Sequence, residues 1–218
     1  MSAHKSCNSA KNRNPELTPV ESHRIALAPK PGIDGSDYIN ASWLNGYNKL
    51  KEFIITQHPT TETKEDFWRM LWDHNAQTVV LLSSYDEEVV TIIKQFIILS
   101  FSVWMSISAL LLKPRYQTLS GNIMFFFQEL PMFWPSKVDD FDFETFRVRF
   151  IEEALHEGHS TFDLVVSSQH DDYELAVRII QCPEWHKMHN LLQAFSVLKL
   201  VQDWHLEYQD GPLVVVDR

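Results

Sequence analysis

The sequence predicts an α/β fold, a sheet with helices packed on its faces. Three observations carry this expectation. An amphipathic run follows Thr63, a β-branched apolar run "QTVVLLSS" follows that, and apolar and charged residues alternate strictly from Phe146 to Phe150. Helical spacing, then a continuous apolar run, then period-two alternation is the pattern of helices covering a partly buried sheet. The 218 residues are 44% hydrophobic, enough for one sizeable core. Charged residues at 22%, aromatics at 12% and seven tryptophans fit a folded domain and not a disordered chain.

The elements can be justified in chain order. Residues 1–24 are polar and expected to be extended, with Pro15 and Pro19 breaking any helix. "SDYINASWL" (Ser36 to Leu44) follows the turn-rich "PKPGIDG" and reads as a strand, and "EFIITQ" (Glu52 to Gln57) as a second, stopped by Pro59. Thr63, three residues before Asp66, predicts a capping-box start to a helix. Phe67, Met70, Leu71 and His74 then recur at helical spacing. "QTVVLLSS" predicts a buried strand. "FETFRVRFIEE", "STFDLVVSS" and "YELAVRIIQ" predict three more. "HNLLQAFSVLKLVQDW" predicts a second amphipathic helix, with Leu191, Ala194, Phe195, Leu198 and Val201 on its apolar face. Gly211 and Pro212 turn the chain into a last strand, "LVVVD". No internal repeat or low-complexity linker interrupts this plan.

One segment does not fit it. Gln95 to Leu112 is an 18-residue run without a charge, flanked by Lys94 on one side and Lys113 and Arg115 on the other. Its length reaches the lower limit for a membrane span. Three serines between Ser100 and Ser106, and the strand-like "FIIL" before them, speak against that reading.

Charge and side-chain inventory exclude several functions. A formal net charge of −10 argues against a nucleic-acid or anionic-membrane surface, while leaving room for a small basic pocket. Cys7 and Cys182 have neither metal-ligand nor disulfide-framework spacing, which points to a reducing, cytosolic setting. Cys182 reads as a buried small hydrophobe. The N-terminus lacks the apolar region of a signal peptide. "HEGH" (His156, His159) and "HKMH" (His186, His189) lack the spacing of a zinc enzyme, so no metal is expected, and no glycine-rich nucleotide loop appears. No cofactor is expected.

Several stretches together resemble one family. "KNRN" (Lys11 to Asn14), with Pro19, Glu21, Arg24 and Ile25 behind it, is similar to the K-N-R-Y opening of protein tyrosine phosphatase domains of receptor type. "GSDYINASWLNGY" (Gly35 to Tyr47) nearly repeats that family's wording, and "EFIITQHPTTETKEDFWRMLWDHNAQTVVLL" follows its Y-I-A-T-Q-G-P, D-F-W-x-M-V-W-E and I-V-M-L segments in order. "FWP" (Phe133 to Pro135) resembles Y-W-P, and "DGPLVVVDR" stands where the family has G-P-x-V-V-H-C-S. Five fragments in the right order cover nearly the whole chain apart from about forty residues in the middle. The resemblance implies a twisted mixed sheet flanked by helices.

It also implies a set of site positions. The family attacks phosphorus with a cysteine thiolate held at low pKa by loop N–H groups, a helix N-terminus and an arginine. Aligning the last motif puts Val216 at the family's histidine and Asp217 at its cysteine. A carboxylate is a poorer nucleophile there, and it repels the phosphate dianion by roughly 1 kcal/mol at ~4 Å even in water. The competing reading of Asp217 is a solvated residue after a strand. The general acid comes from a W-P-D loop, where "QCPEWHKM" sets Trp185 at the tryptophan, His186 at the proline and Lys187 at the aspartate. A lysine cation cannot replace a carboxylic acid in that role. Glu184 lies on the wrong side of the tryptophan and reads as a surface carboxylate. Asn14 replaces the tyrosine that packs on the substrate ring, and His58 replaces the glycine of Q-G-P.

These departures resemble the membrane-distal second domains of tandem receptor phosphatases, above all those with carbonic-anhydrase-like or fibronectin-type ectodomains. The expectation is a non-catalytic domain working in receptor phosphotyrosine signalling. Its partners would be the phosphatase domain of the same or another receptor and signalling proteins. It would be cytoplasmic, with no nucleic acid, and with a membrane link only through a receptor segment outside this chain. The alternatives are an active tyrosine phosphatase with catalytic residues beyond the chain end, and a membrane-integrated protein using Gln95 to Leu112. The domain expectation is one partial phosphatase-like domain over residues 1–218, cut before the phosphate loop, with an atypical apolar insert at about 89–132. That insert reads as a membrane span, as a foreign insertion such as a retained intron, or as a lineage-specific loop. The chain alone is expected to be unstable or to aggregate, because its last strand lacks a covering helix.

Overall fold

Among the described residues of a computed structural model, nine strands form one mixed sheet: β1 (Arg24–Ala26), β2 (Tyr38–Leu44), β3 (Phe53–Gln57), β4 (Thr78–Leu81), β5 (Phe141–Asp142), β6 (Phe146–His156), β7 (His159–Ser168), β8 (Glu174–Gln181) and β9 (Leu213–Asp217). The structure describes residues 1–46, 49–82, 130, 132–182, 191–207 and 211–217, with the backbone alone for 191–194. The chain divides into two compact units, residues 1–84 with 131–218 and residues 85–130, and the nine described strands belong to the first. The uncharged run 95–112 lies outside the described residues, as does the proposed insert at 89–132 except Leu130 and Met132. Among the described residues no helix is long and apolar enough to cross a membrane.

The strand order is β1-β2-β3-β9-β4-β8-β7-β6-β5. The four central strands, β3, β9, β4 and β8, run parallel to one another. The flanking pairs on both sides are antiparallel. The mixed α/β sheet expected from the sequence is therefore the one observed.

Alternation sends side chains to two faces. Val79 and Leu81 of β4, Val214 and Val216 of β9, and Val177 and Ile179 of β8 enter the larger core. That core is closed by helix α1 (Lys64–Asp73) through Phe67, Trp68, Met70 and Leu71, and by Phe133 and Trp134. Val80, Ile180 and Leu213 point to the other face, where they meet Cys182 and Val197 and Val201 of helix α2 (Leu191–Glu207). Each fully buried Leu, Ile, Val or Phe contributes about 1.5–3 kcal/mol, so the larger core dominates the stability.

Three local expectations are corrected. Residues 1–24 are not simply extended, because Ser2–His4 and Ser6–Lys11 form 3-10 turns ahead of Pro15. Polar ties explain this: Glu21 accepts the N–H and hydroxyl of Ser2 and the guanidinium of Arg24. Hydrogen bonds from Ser2, foremost its backbone N–H, hold the Glu21 carboxyl down at about 2. Thr63 is the N-cap of α1 but its side chain makes no capping bond. Its hydroxyl accepts from the Thr60 N–H instead, and Asp66 is drawn away to Lys11 and Arg69. The buried side of α2 is the one carrying Val197 and Val201, whereas Phe195 and Leu198 are exposed. Placing Val201 against the sheet with its i−4 partner Val197 turns Phe195 and Leu198 away from it.

His74 closes α1 with its ring against the edge of Trp43 at 5.0 Å, and its Nε2 is buried without a hydrogen-bond partner. Burial lowers its pKa, with Asp73 opposing and Lys51 adding to the shift. The unfolded chain therefore binds a proton that the folded chain refuses. The stability from this group is complete above the unfolded histidine pKa, about 6.5, and is lost as pH falls below it. Burial lowers the pKa of His159 and His205 in the same direction. The urea midpoint is expected to fall between about pH 7 and pH 5. His74→Phe, which keeps an aromatic ring against Trp43, should shallow that fall, and an unchanged slope would count against the assignment.

Candidate functional site

In open sheets with parallel strands, ligands bind outside the carboxyl ends of those strands. Here Gln57, Asp217, Leu81 and Gln181 end four adjacent parallel strands. Gln57 stands opposite Asp217, and Leu81 opposite both Val216 and Gln181. The chains leaving these strands stay stitched together. The His58 N–H donates to Asp217 O at 2.6 Å, the Leu82 N–H to Val216 O at 2.9 Å, and the Cys182 N–H to Leu81 O at 2.8 Å. The last side chain of β9 is thereby set on a rigid edge.

Alternation along β9 decides what each residue presents. Val216 is fully buried in the larger core, so it lines no opening. Asp217 is exposed. Asn14 is exposed too, and its Oδ1 accepts the Glu16 N–H at 2.9 Å in a local turn. Asn14 thus offers its carboxamide to its own backbone. Trp185 and Lys187, with Glu184, His186 and His189, lie outside the described residues.

The residues just before Asn14 are the ones the structure brings to this edge. Arg13 donates from Nε to His58 O at 2.5 Å and from Nη2 to Pro59 O at 2.8 Å. Its backbone N–H donates to Gln57 Oε1 at 2.9 Å, and Gln57 Nε2 donates to Lys11 O at 2.7 Å. Burial pulls the Arg13 pKa down, and Glu62 pushes it back up. Asn12 accepts the Tyr38 hydroxyl at 2.6 Å and Asn40 Nδ2 at 3.0 Å. Burial raises the Tyr38 phenol to about 12, so it remains a donor at neutral pH. Lys11 donates to Gly35 O, Tyr38 O and Asp66.

His58 sits behind this layer, almost wholly buried, its ring edge-on to Phe133 at 5.0 Å. Its Nδ1 is 3.0 Å from Pro59 O, and a carbonyl can only accept, so that bond needs the proton on Nδ1. Phe133 also meets Phe67 and Trp134 at 4.9 Å each, and its carbonyl accepts the indole N–H of Trp68 at 2.7 Å. The "FWP" segment thus walls off the far side of His58.

The two cysteines are placed unlike nucleophiles at this edge. Cys182 is fully buried against α2, and burial raises its thiol pKa to about 11. Cys7 is exposed within the N-terminal 3-10 turns. His156 and His159 stack at 4.7 Å across the β6–β7 turn. Among the described residues no three potential metal ligands come together.

Sequence reasoning picked out Asn14 and Val216 and passed over Lys11, Asn12, Arg13 and Gln57 as working residues. The available signal was the unbroken K-N-R triplet in a segment with no apolar face. Such a segment can hold its place only by polar bonds.

Comparison with known proteins agrees with this architecture. The description "Protein-tyrosine phosphatase" matches residues 8–110 and 127–218. Tyrosine-protein phosphatase 99A of Drosophila melanogaster is 38% identical over 217 residues, covering 100% of this chain and 14% of that protein. Human receptor-type tyrosine-protein phosphatase zeta is 32% identical over 219 residues, covering 98% of this chain and 8% of that protein. Receptor-type tyrosine-protein phosphatase F of Danio rerio is 52% identical over 87 residues, covering 40% of this chain and 5% of that protein. The chain thus spans a small part of the length of these relatives. With its matched segments running through the central strands and through the ends that carry Gln57 and Asp217, the chain belongs to the protein-tyrosine phosphatase family.

Proposed function

We propose that this chain is a non-catalytic tyrosine-phosphatase-like domain that acts by protein interaction in receptor phosphotyrosine signalling. The observation that carries the reading is Asp217 at the exposed end of β9, the position that the family resemblance gives to the nucleophilic cysteine. Thiolate attack on phosphorus needs a sulfur at that edge with a pKa near or below neutrality. Cys182 supports the reading from the other side, because a buried thiol with a pKa near 11 is almost entirely protonated at pH 7. Asn14, turned into its own backbone, offers no ring to a substrate phenol. The family resemblance gives Lys187 the general-acid position, and a lysine carries the wrong charge for that role.

On this reading the domain belongs to the intracellular part of a receptor and needs no cofactor. It pairs with a catalytically active phosphatase domain of the same or another receptor, or with signalling proteins. Its membrane link is a receptor segment outside this chain. Receptor-type names among its relatives support the receptor setting.

Three measurements test this. With a phosphotyrosyl peptide the full 218-residue chain should release no phosphate above the blank. Turnover that disappears on Cys7→Ser or Cys182→Ser would overturn the proposal. A thiol-reactive chromogenic disulfide should titrate one thiol of the native protein, Cys7, and both in urea; rapid native reaction at Cys182 would contradict a sealed thiol. Titration calorimetry against the active phosphatase domain of a receptor-type relative should show saturable binding, and heats equal to dilution alone would remove that partner.

A further inference from the structure

Tyr173 is a half-exposed side chain, 50% accessible, in the turn between β7 and β8. The other tyrosine among the described residues, Tyr38, is fully buried. Acidic residues surround Tyr173 in sequence: Asp171 and Asp172 before it, Glu174 after it, all exposed. The turn is held by its own bonds, by Gln169 donating to Thr145 O and Phe143 O, and by an Arg149–Glu174 ion pair. The Ser168 N–H donates to Tyr173 O at 3.0 Å, and the Tyr173 N–H to Asp171 Oδ1 at 2.9 Å. Ser168 Oγ accepts the N–H groups of His170 and Asp171. A surface turn of this kind opens far more often than the sheet beneath it.

The phenol has a defined seat. Its hydroxyl donates to Asn75 Oδ1 at 3.0 Å, and its ring stands edge-on to Trp72 at 5.2 Å. Trp72 stacks in turn on Phe146. Asn75 is the left-handed residue after α1, with φ of 52°. Its carbonyl is pressed against Gly211, where a Cβ would lie 1.8 Å from Asn75 O. The Tyr173 hydroxyl therefore secures the turn against which the chain enters β9.

We propose that Tyr173 is a substrate for a tyrosine kinase that favours acidic sequence, and that its phosphorylation unlatches the Asn75 turn. The γ-phosphoryl group of ATP is transferred to the Tyr173 oxygen, the phenolic proton leaves to the kinase's base, and ADP departs. Acidic flanks select a kinase with a basic peptide groove through charge complementarity. The new group carries about −1.5 to −2 charge beside Asp171 and Asp172 and has lost the proton that Asn75 accepted. Both changes drive the ring out of its seat. The inference does not rest on the chain being inactive.

The test is direct. The full chain is incubated with ATP and a tyrosine kinase selective for acidic peptides, with orthovanadate present so that hydrolysis by the chain itself cannot hide the modification. Peptide mass spectrometry should place phosphate on Tyr173 and lose that signal in Tyr173→Phe. Hydrogen exchange at 73–77 and 211–213 should quicken about threefold to tenfold on modification, the worth of one hydrogen bond. Asn75→Gly, which removes the acceptor and suits a positive φ, should speed phosphorylation about threefold by the same reasoning. Phosphate only on other tyrosines would overturn the proposal. Modified Tyr173 with unchanged exchange, or an unchanged rate in Asn75→Gly, would overturn the latch.

Discussion

The insertion of β9 between β3 and β4 is the constraint on which the rest of the structure depends. β9 is the last strand in the chain, yet it pairs along its whole length with β3 and over four residues with β4. Until it docks, both neighbours present unpaired edges, and the larger core lacks Val214 and Val216. Closing so distant a contact is entropically costly and slow, because the intervening chain must be ordered around it. The entry is fitted to the backbone: Gly211 packs where any side chain would collide with Asn75. At the carboxyl edge, the His58 N–H on Asp217 O and the Leu82 N–H on Val216 O both lock onto this strand.

A second layer fixes the N-terminal segment against that edge, and its physics is polar. The Asp66 carboxylate takes Lys11 and Arg69 at 2.8 Å each, with all three side chains largely buried. One carboxylate thus compensates two cations, and further Lys11 and Arg69 donors go to backbone carbonyls of Gly35, Tyr38, Ser36 and Ala28. A buried ion network adds little over an apolar substitute, but removing its central charge strands the others in low dielectric. Its value is specificity: it holds Lys11, and so Asn12 and Arg13, where they can reach β2 and the end of β3.

How much of this was legible follows from the physics of each feature. The strands around Val79 and Val214 were readable as β-branched apolar runs, and the strand around Val148 by its period-two alternation. α1 was readable by its apolar stripe, but its capping was not. Thr60 and Thr63 bond to each other, and Asp66 goes to Lys11 and Arg69, partners that only the folded geometry supplies. The face of α2 was misread because Phe195 and Leu198 are as apolar as Val197 and Val201. Apolarity does not say which side meets the sheet. At the site, the position of Asp217 at the end of the last strand was legible in the apolar run "LVVVD". The work of Arg13 was not, since its partners are carbonyls that carry no sequence signature.

On the proposed reading, the change at 217 is one of chemistry more than of charge. A thiolate and a carboxylate are both anions, so repulsion of a phosphate does not by itself separate an active site from an inactive one. Carboxylates can take up phosphoryl groups, as aspartyl phosphates do, when cations offset the charge that gathers at phosphorus. The described cation tied to this edge, Arg13, directs Nε and Nη2 to the carbonyls of His58 and Pro59. Those bonds make it a brace for the strand end, and burial already disfavours its charge.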